Sequence, residues 1–117
     1  MQLFTPREVW RFVLAGSVAG TLIAVGIAQA VPAAQTASAT IDNFTFNPAR
    51  LTVKTGTTVT WKNQDDIPHT VASSTRLFKS KALDTDDSFS FTFSEPGTYE
   101  YFCSLHPHMA GSIVVEP

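Results

Sequence analysis

Near the C-terminus, Cys103-Ser104-Leu105-His106-Pro107-His108-Met109 places a thiol, two imidazoles and a thioether within one short run. A third imidazole, His69, lies upstream between Pro68 and Thr70. Thiolate and thioether sulfur are soft donors that favour copper, above all Cu(I), while imidazole serves both oxidation states. Two imidazoles and a thiolate in one plane, with a distant thioether on the axis, suit both Cu(II) and Cu(I). Little then rearranges when one electron moves. The candidate ligands are His69, Cys103, His106 and Met109.

Each of these residues alone has a plainer explanation. A lone cysteine is more often a buried structural thiol, and a lone methionine usually fills a core. A single loop histidine is commonly just hydrogen-bonded or exposed, and His108 is read that way here. The combination carries the signal: Cys-x-x-His-x-x-Met after a Gly-Thr-Tyr strand, with an earlier Pro-His. Zinc would take a cysteine and two histidines but leave the Met109 thioether without a role. An iron–sulfur cluster needs more sulfur ligands than the chain has. Asp84, Asp86 and Asp87 lack the stepped oxygen ligands of a calcium loop.

Strands must position these donors. Val59 and Trp61 alternate with Thr58, Thr60 and Lys62. Phe89, Phe91 and Phe93 alternate with Ser88, Ser90, Thr92 and Ser94, and Leu51 and Val53 with Thr52 and Lys54. Period-two alternation marks half-buried strands. Turn residues divide the runs at Asn47-Pro48, Thr55-Gly56-Thr57, Asn63 to Pro68 and Glu95-Pro96-Gly97. The pattern predicts about seven short strands and no helix from Thr40 onward, in a two-layer all-β antiparallel sandwich. Asn43-Phe44-Thr45 matches a glycosylation triplet but falls within an expected strand. Ser73 to Asp87 is expected to be a solvated connection.

The chain has 117 residues, room for one small domain. Its net charge of −2 argues against a nucleic-acid partner. Arg7 and Arg11, an apolar run from Phe12 to Ala28, and Ala28-Gln29-Ala30 have the layout of a secretory signal peptide. The division expected is a signal peptide over 1–30, a linker over 31–39 and a copper-binding domain over 40–117. Ala39 offers a second cut site, and an uncleaved membrane anchor is the alternative. Export to the periplasm or another extracytoplasmic space leaves Cys103 alone in an oxidising compartment, where a lone thiol needs a reason.

The segment from Glu95 to Val115, including Tyr101-Phe102-Cys103-Ser104-Leu105-His106-Pro107-His108-Met109, resembles the copper loop of the cupredoxin family. It is most similar to amicyanin, through the short gap between His106 and Met109, then to plastocyanin and pseudoazurin. The resemblance implies a Greek-key β-sandwich and one type 1 copper per chain. His69 would be the upstream ligand, Cys103 the thiolate, His106 the loop imidazole and Met109 the axial donor. It also implies a monomeric electron carrier, not an enzyme, that docks a redox protein at the His106 face. A membrane would be involved only if the N-terminal segment stays on. Thr70 and Leu105 depart from the Asn and Pro usual at these positions. A second copper centre would need more imidazoles than His108, so a catalytic copper enzyme is disfavoured. Periplasmic copper buffering remains the rival reading.

Overall fold

The computed structural model describes residues 20, 21, 26 and 35–117. The signal-peptide reading lies almost wholly outside these residues. Among them there are eight strands and no helix: β1 (Thr36–Asp42), β2 (Thr45–Asn47), β3 (Arg50–Lys54), β4 (Thr58–Asn63), β5 (Ala72–Ser73), β6 (Ser88–Thr92), β7 (Gly97–Phe102) and β8 (Ala110–Glu116). They form two four-stranded sheets, ordered β2-β1-β4-β6 and β3-β8-β7-β5.

The all-β sandwich expected from the alternation is present. Its pairings are mixed, however. β1 runs parallel to β4 and β3 parallel to β8, while the other four pairings are antiparallel. The parallel pairs arise because the chain crosses between sheets, so sequence neighbours such as β3 and β4 lie in different layers.

Alternation also sets which side chains meet between the layers. Val59 and Trp61 of β4 are fully buried, as are Ile41 of β1 and Ile113 of β8, and Tyr101 of β7 is nearly so. Trp61 sits among aromatic rings, 5.3 Å from Tyr101, 5.8 Å from Phe78 and 5.9 Å from Phe89. Each large side chain buried in this way stabilises the fold by about 1.5–3 kcal/mol. Opposite Tyr101 in the β7–β8 register stands Gly111. A Cβ there would fall 2.5 Å from the Tyr101 ring and hydroxyl, so the phenol occupies space that only glycine leaves free. The Trp61 N–H and Tyr101 hydroxyl make no hydrogen bond of full geometry. Burial pushes the Tyr101 phenol up, and the nearby indole offsets part of the push.

Two boundaries differ from the sequence expectation. The linker placed at 31–39 ends sooner, because β1 begins at Thr36 and pairs Thr36–Ala39 with Thr58–Trp61. Ala37 and Ala39 do alternate with Thr36 and Ser38, but alanine is too small to make a strong apolar signal. Ala39 is buried all the same, and a cut after it would strip β4 of four paired neighbours. The Ser73–Asp87 stretch is likewise not merely solvated. Phe78, Ser80 and Leu83 are buried, and isolated bridges join His69 to Leu83 and Ala72 to Lys79.

Candidate metal centre

The two ligand segments are a loop between paired strands and a connection that crosses between the sheets. Cys103 follows β7 directly, and Ala110 opens β8, so the β7–β8 pair holds both ends of the Cys103–Met109 loop. Backbone hydrogen bonds then fold the loop on itself. His106 N donates to Cys103 O at 3.2 Å, Met109 N to His106 O at 2.9 Å, and Cys103 N to Met109 O at 3.0 Å. The loop is thereby closed by its own peptide groups.

His69 lies in the connection that leaves β4 in one sheet and enters β5 in the other. Asn63, the last residue of β4, is fully buried and shapes that connection. Its side-chain amide donates to Ile67 O at 2.9 Å and Leu83 O at 2.8 Å, and its Oδ1 accepts from Asp65 N at 2.9 Å. His69 and Leu83 then exchange backbone hydrogen bonds of 3.1 and 2.7 Å.

These supports converge on one point. Cys103 Sγ lies 3.8 Å from His69 Nδ1 and 3.7 Å from His106 Nδ1. The three ligand atoms are all within 4.8 Å of one another. Such separations are long for direct hydrogen bonds. A metal with bonds of about 2.3 Å to sulfur and about 2.0 Å to nitrogen, in a trigonal plane, would hold the sulfur about 3.7 Å from each nitrogen. The donor set therefore fits a single ion. Cys103 and His69 are fully buried, His106 is half-buried, and Met109 is buried in the same cluster as Cys103. His108 is exposed and stands outside the cluster.

Surrounding groups orient the donors. His69 Nε2 is 2.7 Å from Asp65 Oδ2. With Nδ1 facing the cluster, Nε2 carries the ring proton and donates it to the carboxylate, which fixes the tautomer. Burial pushes the Asp65 carboxyl upward. The amides of Phe44 and Asn43 and the His69 ring outweigh that push, and the group stays below its ordinary value. Thr70 reaches from the His69 segment to the Cys103 loop. Its N–H points at Cys103 Sγ, 3.4 Å away. Its hydroxyl accepts from Ser104 N at 2.7 Å, lies 2.7 Å from Ser104 Oγ, and approaches the sulfur at 3.8 Å. Thr70 thus ties the two ligand segments together.

Sequence reasoning missed two members of this arrangement. Asp65 lies four residues before His69, in the Asn63–Pro68 stretch read only as a turn. Phe44, placed in a strand by the sequence reading, is in fact at the β1–β2 turn, and its ring contacts both His69 and His106. Neither has a periodic signal, because the fold alone brings them to the site.

Comparisons with known proteins agree with this geometry. The family model described as a cupredoxin-like domain matches residues 14–115. Amicyanin of Paracoccus versutus is 35% identical over 81 residues, covering 65% of this chain and 61% of that protein. Amicyanin-alpha of Methylorubrum extorquens is 32% identical over 110 residues, covering 88% of this chain and 92% of the relative. The solved purple cupredoxin from Nitrosopumilus maritimus is 36% identical, with a TM-score of 0.65, covering 68% of this chain and 99% of that one. The matches span about 61% and 58% of the length of two Paracoccus amicyanins.

The Thr70 hydroxyl makes a measurable prediction. Thr70→Val leaves the Ser104 amide without its acceptor and should cost about 1–3 kcal/mol of stability. Thr70→Ser should retain most of it. Urea denaturation of the metal-free protein reads both. Equal midpoints for Thr70→Val and the wild type would show that the hydroxyl does not tie the segments.

Proposed function

The chain belongs to the cupredoxin-like family, and on that footing we propose that it carries single electrons between redox proteins outside the cytoplasm. The observation that carries this reading is the buried Cys103 sulfur, with an imidazole Nδ1 on either side at 3.7 and 3.8 Å. Copper is the cofactor, one per chain. When bound, it supplies a Cu(II)/Cu(I) couple that gains or loses one electron. We assign His69, Cys103 and His106 as the residues that would bind it strongly and Met109 as the one that would add a weak thioether donor.

The protein's part is to hold these donors still. Asp65 keeps the proton on His69 Nε2, and the Thr70 amide points at the sulfur. Burial of Cys103 and His69 keeps water away from the donors. His106 is the half-buried member, so its ring is the route by which the electron leaves. Exposed Leu105, Pro107 and Ala110 flank it along the loop, and the exposed Phe44 ring packs on it, which gives it an apolar rim. Small, weakly held interfaces suit redox encounters that must part quickly.

A carrier fits the sequence better than an enzyme, since His108 is the sole histidine beyond the assigned ligands. Copper buffering is the rival. The closed loop and buried sulfur favour the carrier, because a buffer must release its metal. We further propose that residues 1–30 direct export and that the copper domain starts at Thr36 rather than Thr40. The N-terminal residue of the exported protein tests that boundary.

Two experiments check the central reading. With Cu(II), the purified protein should show an intense visible band from charge transfer between sulfur and metal, blue or of the purple kind named for the Nitrosopumilus protein. Cys103→Ser should abolish it, since an alcohol cannot replace the soft thiolate. A band that survives this substitution would contradict the assignment.

Leu105→Glu should leave that band intact but slow electron exchange with partner proteins by about tenfold or more, because it places a charge in the apolar rim. Stopped-flow kinetics measures the exchange. An unchanged rate would place the exit on another face.

A further inference from the structure

Phe44 has an unusual position for an exposed aromatic. It sits at the tip of the β1–β2 hairpin with 44% of its surface exposed. Its ring centroid lies 5.1 Å from that of His106 and 5.4 Å from that of His69, with interplanar angles of 85° and 86°. The two imidazoles are themselves 5.0 Å apart, so three rings meet at the surface of the site.

The backbone that presents this ring is strained. Asn43 and Phe44 have φ values of 49° and 56°, a left-handed pair that Asn tolerates and Phe does not favour. Strain of this kind persists only where the surroundings over-determine it. Here the surroundings are one carboxylate. Asp65 Oδ1 accepts from Asn43 N at 2.6 Å, and Oδ2 accepts from Phe44 N at 3.0 Å. The same Oδ2 holds His69 Nε2 at 2.7 Å. The turn that carries Phe44 is therefore registered against a ligand of the metal centre.

The ligands differ in how firmly they are held. Cys103 and His69 are fully buried, and His69 is pinned through both its backbone and Nε2. His106 is half-buried, and among the described residues its side chain has no hydrogen-bonding neighbour except Cys103 Sγ. Two rings pack against it, His69 at 5.0 Å and Phe44 at 5.1 Å, and Phe44 is the one that is not itself a ligand.

We propose that Phe44 is a positioning residue for His106, holding its imidazole in the metal-binding orientation in both oxidation states. The assignment rests on the reading of His106 as a ligand. Edge-to-face packing of aromatic rings is favourable beyond the area it buries. A ring so held swings less when the oxidation state changes, which keeps the rearrangement that accompanies electron transfer small. Strain in the hairpin then has a purpose: it places an aromatic where a regular strand residue would not reach.

The test uses the copper-loaded, reduced protein at about pH 8, where free imidazole is unprotonated. NMR relaxation dispersion on the ring nitrogens reports slow swinging of His106, with His69 as the internal control. Phe44→Ala should raise the population of displaced His106 by about tenfold while His69 stays unchanged. Phe44→Tyr should restore the wild-type profile. The Cu(II) visible band should persist in all three proteins. Equal His106 dispersion in wild type and Phe44→Ala, or matching loss of order at both imidazoles, would overturn the positioning role. Absence of the band from the wild type itself would instead sink the copper reading.

Discussion

A thiolate must be held 3.7 and 3.8 Å from two imidazole nitrogens without collapsing onto them, and one imidazole must come from the connection that crosses between the two sheets. This constraint organises the molecule. Cys103 can be buried because β7 delivers it directly, and His69 because Asn63 and Leu83 brace the connection beyond β4. A polar group taken from water without partners is costly. Here the Thr70 amide serves the sulfur and Asp65 serves the imidazole. The aromatic layer of Trp61, Phe93 and Tyr101 gives the two sheets a fixed spacing, so the donors they carry have a fixed spacing too.

The site is graded from rigid to accessible. Its inner members are buried and bonded on several sides. His106, the outer member, is half-buried on a loop closed by its own backbone. That gradient reconciles two demands on an electron carrier, a centre that barely moves and an edge that a partner can reach. Thr70 makes the tie between the two segments with its hydroxyl. Ser104 completes that tie from the other segment.

The donors were legible because they cluster in sequence and because their types are chemically specific. Cys103, His106 and Met109 share one short loop, and a thioether beside a thiolate and imidazoles points to copper. The strands were legible where large apolar residues alternate with polar ones, as in Val59 and Trp61 or the Phe89–Phe93 run. Alternation failed at Thr36–Ala39, where the inward residues are alanines too small to stand out. It failed again at Asn43 and Phe44, because a left-handed turn leaves no mark when neither residue is glycine. Phe78 and Leu83 were hidden in an irregular segment that packs inward without period. Asp65 was invisible for a different reason: a loop aspartate acquires its role only when the fold sets it beside His69 and the hairpin tip.

The ligand set is the claim on which the rest depends, and copper-edge X-ray absorption of the loaded protein tests it most directly. The account predicts one short sulfur scatterer and two imidazole nitrogens around the metal, with distances that shift little between Cu(II) and Cu(I). A shell of nitrogen and oxygen without a short sulfur, or a sulfur lost on oxidation, would contradict it.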